Sequence, residues 1–326
     1  MAVFGIVGAT GVVGEEVISL LNSQFNVEFD NIKLYASKKS VGTEINIRGK
    51  IYSVEELTEE SFKEVDCAIL ASSSEISRLC YSYAKNSCVM IDNSAAFRMD
   101  ERFPLVIPEI NMDKINTTRE SPYVIANPNC STIIMLMVLA PLHKINPIKR
   151  IDVSTYQAAS GAGREAMDEL RKQIKDMSDG NELTTDIFGR QYLMNAFVHN
   201  SSRDKDGRCG EEVKMIQETF KILNTREIEI YPTCVRIPTV RCHMESITVT
   251  FENSFSIDKI EKILEDSEGI VLDDDPQPID YEGTNNIGVG YFRKSLFNDK
   301  TFSMVVVGDQ ILKGAALNAI QILNKL

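Results

Sequence analysis

With 326 residues, 43% of them hydrophobic and 25% charged, and no tract dominated by one residue type, the chain has the make-up of a globular protein long enough for two domains. Its formal net charge of −12 repels phosphate backbones and anionic lipid, so neither nucleic acid nor a membrane surface is an expected partner, although local basic clusters can still take small anions. No signal-like N-terminus is present, the longest apolar run (IIMLMVLA) is too short to span a bilayer, and seven scattered cysteines suit a reducing cytoplasm without disulfides.

Short apolar runs at 2–8, 32–37, 67–72, 88–92 and 123–127 read as mostly buried strands, with helices at 15–22 and 75–86 between some of them. Strands alternating with helices predict an α/β fold with a doubly wound parallel sheet. The middle changes character. RIDVSTYQAAS, EIEIYPTCVRIPTV and MESITVTFENSF show the period-two alternation of a sheet with one covered face, and helices GREAMDELRKQIKDM and EEVKMIQETFKIL lie between them. The chain closes with a strand, a turn and one amphipathic helix (TFSMVVVGDQILKGAALNAIQILNKL).

Directly after the first strand, GIVGATGVVGEEV spaces Gly8, Gly11 and Gly14 as G-x-x-G-x-x-G. Glycines there permit a tight turn and a close approach of backbone to a pyrophosphate, which then rests on the next helix's N-terminus. Thr10, Val12 and Val13 complete that loop. The second strand ends not in the carboxylate that would bind a ribose diol but in Ser37, Lys38, Lys39 and Ser40. Hydroxyl and ammonium groups suit a 2′-phosphate, which points to NADP rather than NAD.

ANPNCST reads as strand, turn and helix: Pro128 disfavours helix before it, Asn129 is a fitting N-cap, and Cys130 takes the first helical position. Unpaired amides and the positive dipole end favour thiolate there and can receive an oxyanion. A small buried thiol is the competing reading, and local pattern alone leaves the two open. A nicotinamide loop in the same chain favours the nucleophile, because a thiol and a hydride acceptor together define aldehyde chemistry through a thioester. Of three histidines, His143 reads as a surface or capping residue and His199 sits in a loop without nameable partners. His243 shares a strand face with Ile247, Val249 and Phe251, flanked by Arg236 and Arg241, which is unusual for a core and reasonable for an anion site. Cys234, Cys242 and His243 hint at a metal, but nothing completes four ligands and none is expected.

The pieces GATGVVGEE, DNSAAFR, ANPNCST, TYQAASGAG, EEVK, RIPTVRCH and GDQILKGAALNAIQIL, in this order, resemble aspartate-semialdehyde dehydrogenase from end to end. The resemblance implies reductive dephosphorylation of L-aspartyl-4-phosphate by NADPH to L-aspartate-4-semialdehyde and phosphate, in the biosynthesis of lysine, methionine and threonine. Carried over by position, Cys130 is the acyl-thioester nucleophile, His243 the general acid/base and Gln157 the residue orienting substrate. Arg236 pairs with the substrate's α-carboxylate and Glu211 with its α-ammonium, while Arg98, Asn129 and Lys214 hold the phosphate. Ser160, Gly161 and Gln310 lie near the nicotinamide. The resemblance also implies a Rossmann-type cofactor domain (1–129 with 308–326), an α+β catalytic and dimerising domain with a mixed sheet (130–307), and a homodimer or a tetramer. Two places depart from the family: ASSSE at 71–75 stands where glycines are usual beside the cofactor, and Lys39 where arginine is frequent. N-acetyl-γ-glutamyl-phosphate reductase typically carries PGCY where this chain has PNCS, and phosphorylating glyceraldehyde-type enzymes follow the cysteine with Thr-Thr-Asn. A non-catalytic NADP-binding relative is expected to lose the cysteine, the histidine or the substrate arginine, and all are present.

Overall fold

The computed structural model describes residues 2–25, 29, 31–85, 87–115 and 123–326. The chain divides into two compact units, Met1–Asn129 with Ala315–Leu326, and Cys130–Gly314. The sequence reading expects the return to the first unit at 308. It falls later because Asp309 and Gln310 bond to Arg241, Cys242 and Ser160, all in the second unit.

In the first unit the elements run β1 (Val3–Val7), α1 (Val12–Ser23), β2 (Asn31–Ala36), β3 (Glu44–Ile47), β4 (Lys50–Glu56), α2 (Glu59–Lys63), β5 (Cys67–Leu70), α3 (Ser74–Tyr83), β6 (Val89–Asp92), α4 (Pro108–Asn111) and β7 (Tyr123–Ala126). Sheet order is β3-β4-β2-β1-β5-β6-β7, parallel except for β3. Order therefore reverses at β1, the switch point at whose carboxyl end such sheets bind ligands. The predicted helix at 75–86 ends at Tyr83, and its residue 86 lies outside the described residues. The β3–β4 hairpin was not predicted. Its two-residue turn places Arg48 and Gly49 at φ 51° and 81°, a conformation usually announced by Asn-Gly rather than Arg-Gly.

The second unit runs α5 (Cys130–Ile145), β8 (Ile148–Gln157), α6 (Arg164–Ser178), β9 (Phe197–Val198), α7 (Gly210–Leu223), β10 (Glu229–Arg236), β11 (His243–Phe251), α8 (Ile257–Glu265), β12 (Ile270–Leu272), α9 (Pro278–Tyr281), β13 (Ile287–Lys294) and β14 (Thr301–Gly308). Its sheet is mixed, in the order β12-β13-β14-β11-β8-β10-β9, with β8 and β10 parallel and β11 antiparallel to β8. Strand β11 alternates strictly between buried and half-buried residues, and its buried face packs against α5. That helix is apolar nearly all round, with Ser131–Ala140 and Leu142 buried, the pattern of a core helix.

The polar side of α6 carries out an unusual task. Glu169 accepts from the amides of Ile187 and Phe188, Gln173 Oε1 from those of Tyr192 and Leu193, and Asp176 from Thr184. The residues are four and three apart and so lie on one face, giving a strandless loop the hydrogen bonds it cannot make with itself. An aromatic cluster of Phe188, Tyr192 and Phe197 fills the space beneath.

The final segment differs from the single amphipathic helix of the sequence reading. It opens as a π turn over Leu312–Ala316 and continues as a helix, Leu317–Leu323, whose residues other than Gln321 are all buried. Among the described residues no helix is long and apolar enough to cross a membrane.

Candidate active site

In the first unit the glycine loop has the shape the spacing implies. Gly8 has φ +83°, and a Cβ there would lie 2.2 Å from the Ala71 carbonyl oxygen; a Cβ on Gly14 would lie 2.1 Å from the Gly8 oxygen. Neither position admits a side chain. Helix α1 starts at Val12 with Gly11 as its N-cap and no side chain capping it, the kind of helix start whose first amides can receive an anion. Thr10 Oγ1 donates to Ser40 Oγ at 3.1 Å, tying this loop to the serine–lysine turn. There Ser37, Lys38 and Lys39 are exposed, and neither lysine forms an ion pair among the described residues. In ASSSE, Ser73 Oγ accepts from Ile76 N and caps α3, which accounts for one serine where glycine was expected.

DNS and NPN are also joined in this unit. Arg98 Nε donates to the Asn127 carbonyl at 2.9 Å and Nη2 to that of Asn93 at 2.8 Å, and the residue is only 8% exposed. Asn127 Nδ2 donates to Asn93 Oδ1, and Asn318 Nδ2 donates to Asn127 Oδ1. Asp92 accepts from Ser77 and Ser94, and burial raises its pKa above the usual carboxylate value. Asn93, Asn127 and Asn318 lie within the stretches DNSAAFR, ANPNCST and GDQILKGAALNAIQIL, but the sequence reading gives none of them a role.

In the second unit, Cys130 opens α5, as the sequence reading expects. Across the sheet β11 begins with His243, while β8 and β10 end on Gln157 and Arg236, which are register partners. Met244 opposes Tyr156, so His243 falls beside Gln157 and the three side chains form one row. All three are buried, and each keeps one atom without a hydrogen-bond partner among the described residues: His243 Nε2, Gln157 Oε1 and Arg236 Nε. Three such atoms on adjacent strands mark a place built to meet a polar ligand.

The remaining contacts fix orientation. Gln157 Nε2 donates to Ser131 Oγ and to Glu211 Oε1, both at 3.0 Å, so it links the start of α5 to the start of α7. Glu211 is 4% exposed and pairs with Lys214 Nζ at 3.1 Å across one helical turn. Ala158 N–H donates to His243 Nδ1 at 3.1 Å; that nitrogen is an acceptor, so the neutral ring carries its proton on Nε2. Exposed Gly161 sits where the row converges. A Cβ there would lie 3.1 Å from Arg236 Nη1 and 3.2 Å from His243 Nε2, so a side chain would crowd both. Gln310 accepts from Cys242 N–H and donates to Ser160 Oγ, bracing Cys242, which has φ 71°, immediately before His243.

Arg241 is not part of this site. Its Nε donates to the fully buried Asp309 at 2.6 Å, so of the two arginines flanking His243 only Arg236 reaches the row. Cys242 packs with Tyr281 and Val307, and Cys234 lies beside Met215; among the described residues no cluster could hold a metal ion. His143 Nδ1 accepts from Ile148 N–H at 3.0 Å, a capping role. Two residues of the site were missed. His199 Nε2 lies 2.8 Å from Arg236 Nη2. Glu245 is fully buried in phase with His243, and neither oxygen has a partner among the described residues. Period two could have found Glu245.

Burial pushes the His243 pKa down to about 3 and that of His199 to about 4, with Arg236 as the second cause in each case. Below about 6.5 the unfolded chain therefore binds protons that the native chain refuses, and stability falls with pH through that window. Burial raises Glu245 well above the usual carboxylate range, so it acts with the opposite sign above about 4.5. The difference between proteins isolates the histidine: His243→Gln is expected to lose stability less steeply than wild type between pH 6.5 and 4.5 in urea titrations. Parallel curves would show that His243 is charged in the native protein.

Known proteins resemble the chain along its length. Residues 3–118 match the semialdehyde dehydrogenase NAD-binding domain and residues 139–313 the semialdehyde dehydrogenase dimerisation domain. Aspartate-semialdehyde dehydrogenase of Prochlorococcus marinus is 41% identical over 324 residues, 97% of this chain and 93% of the relative; that of Synechocystis is 38% identical, with 97% and 95% covered. The crystal structure of aspartate semialdehyde dehydrogenase II from Vibrio cholerae complexed with ASA superposes with a TM-score of 0.92 at 34% identity, covering 99% of this chain and 97% of that one.

Proposed function

The chain belongs to the aspartate-semialdehyde dehydrogenase family, oxidoreductases of amino-acid biosynthesis, and we propose that its own residues carry out the family reaction with Cys130 as nucleophile and NADP as cofactor. The observation that carries this reading is the row of His243, Gln157 and Arg236, each with a buried polar atom left for a ligand.

Arg236 is the group for the substrate's α-carboxylate: among the described residues its partners are the Ala158 carbonyl and a histidine nitrogen, and no acid forms an ion pair with it. Glu211 is the group for the α-ammonium. Lys214, Arg98 and Asn129 serve the phosphate. Cys130 Sγ attacks the acyl carbon, the C–O bond to phosphate breaks, and a thioester forms. His243, the acid/base of the proposal, donates a hydrogen bond from Nε2–H to the oxygen that gains charge in each tetrahedral intermediate and keeps that proton as the carbonyl re-forms, a role typically worth about 10²–10³-fold. Gln157 holds the start of α5 against this row and offers Oε1 to the substrate.

The cofactor fits the residues present: Gly8 and Gly14 let the loop pack tightly on the backbone of Ala71 and Gly8, and Gly11 opens α1 without a side-chain cap. Gly11, Val12, Val13 and Gly14 would hold its diphosphate, Thr10 and Ser37–Ser40 its 2′-phosphate, and Ser160, Gly161 and Gln310 its nicotinamide end. NADPH bound there supplies the hydride that reduces the thioester. Residues 1–129 with 315–326 are proposed as the cofactor domain and residues 130–314 as the catalytic one. A homodimer, supported by the match to a dimerisation domain, and a cytoplasmic location complete the proposal.

The test is reduction of NADP by purified protein with L-aspartate-4-semialdehyde, with and without phosphate. NAD and N-acetyl-glutamate semialdehyde run in parallel. Activity that requires phosphate and the aspartate substrate, and that prefers NADP, is the expected result. Equal rates with NAD would overturn the reading of Lys38 and Lys39. Silence with every substrate would overturn the catalytic reading.

A further inference from the structure

His199 belongs to a loop that no motif singles out, yet it makes the closest side-chain contact to Arg236. Its backbone is fixed first: His199 N–H donates to the Cys234 carbonyl at 2.8 Å, continuing the β9–β10 pairing. This sets the ring beside the end of β10, with Nε2 at 2.8 Å from Arg236 Nη2. A guanidinium has no lone pair, so Nε2 must accept and the neutral ring carries its proton on Nδ1. Nδ1 then donates to Ser201 Oγ at 3.0 Å. The Ser201 amide N–H is also directed at Nδ1, at 3.2 Å, but with Nε2 taken by the shorter guanidinium contact Nδ1 keeps the proton and turns it to the hydroxyl. Ser201 Oγ also accepts from Glu211 N–H at 3.2 Å. One chain of hydrogen bonds thus runs from the cation proposed for the substrate's carboxylate to the residue proposed for its ammonium.

The partner's chemistry matters as much as its place. An Asp or Glu against Arg236 would form a closed ion pair, and a substrate carboxylate would have to displace it. A neutral imidazole fixes one edge of the guanidinium and leaves its charge standing, with Nε unpartnered in a buried position. We propose that His199, set by Ser201, is a positioning residue for substrate recognition: it fixes the Arg236 guanidinium without neutralising it and so pre-organises the seat of the α-carboxylate. This rests on the reading of Arg236 given above.

Steady-state kinetics of the full-length enzyme test it. His199→Ala is expected to raise KM for L-aspartate-4-semialdehyde by about ten-fold, the scale of one charge-assisted hydrogen bond, with kcat within about two-fold. KM for phosphate and for NADP should stay unchanged, which a general loss of structure would not permit. His199→Gln, whose amide oxygen accepts at a similar reach, should restore most of the loss. His199→Glu should bind Arg236 more firmly and yet raise KM further, because it neutralises the cation. Added to Arg236→Ala, His199→Ala should change nothing more. If Arg236→Ala leaves KM unchanged, the reading of Arg236 is wrong. If Arg236→Ala raises KM while His199→Ala and His199→Glu do not, Arg236 stands and the role of His199 falls. Should His199→Ala not fold, the contrast between His199→Gln and His199→Glu decides alone, and equal KM values in those two overturn the proposal.

Discussion

Cys130→Ser is expected to lower phosphate-dependent reduction of NADP by about 10³-fold or more while NADP binding and thermal stability stay near wild type. The hydroxyl is scarcely ionised at neutral pH, and the helix start that favours a thiolate cannot make up a difference of several pKa units. The fold has no reason to change. Serine is no larger than cysteine, and the surroundings are already tight: a Cβ on Gly314 would come within 2.8 Å of Cys130 Cβ. The Gln157 contact goes to Ser131, not to residue 130, and survives the change. Rate and binding must be read on one sample, the latter by fluorescence titration with NADPH. Turnover close to wild type in the serine variant would end the thioester mechanism. Loss of binding along with rate would mean that residue 130 supports the fold.

A second large effect is expected away from the chemistry. Asp309 is fully buried and accepts four hydrogen bonds, from Arg241 Nε, Gly283 N, Ile311 N and Leu312 N. Asp309→Ala leaves a guanidinium with 15% exposure and three amides short of an acceptor, a loss of about 3–5 kcal/mol when one side of a buried pair is removed. That is a large share of an ordinary protein's stability. Urea unfolding should show the midpoint falling sharply, or the protein should fail to accumulate. Arg241→Met, which removes the charge and keeps much of the volume, should cost clearly less. Equal losses would mean that the three amides contribute little and the charge pair nearly everything.

The alternation of strands and helices and the place of Cys130 were legible because they rest on local rules. Period two and alternating element types are visible in one window of sequence, and a strand–proline–helix junction is visible in six residues. Long-range polar contacts were not. Arg236 and Arg241 look alike along the chain, five apart around a turn, and only pairing with Asp309, 68 residues on, separates them. His199 was left without partners because its partner is 37 residues away on another strand. Glu245 fails for a different reason. Its phase with His243 was readable, but an acid in a buried row runs against the usual burial cost of a charge, and only its raised pKa reconciles it. The β3–β4 hairpin escaped because its turn uses Arg48 where asparagine would have announced it.

The comb of Glu169, Gln173 and Asp176 has a consequence in time. Until α6 is wound, those three side chains share no direction, and the amides of Ile187, Tyr192 and Leu193 have no fixed acceptor. Once it is wound, the bonds span only 18 to 20 residues, a closure reached in well under about a microsecond. The expected order is therefore helix first and loop second, and pulsed hydrogen exchange that protects the Ile187, Tyr192 and Leu193 amides before those of α6 would overturn it. The loop leads straight into Phe197 and His199, so the residue that steadies Arg236 is carried to its place by a helix that never touches the substrate.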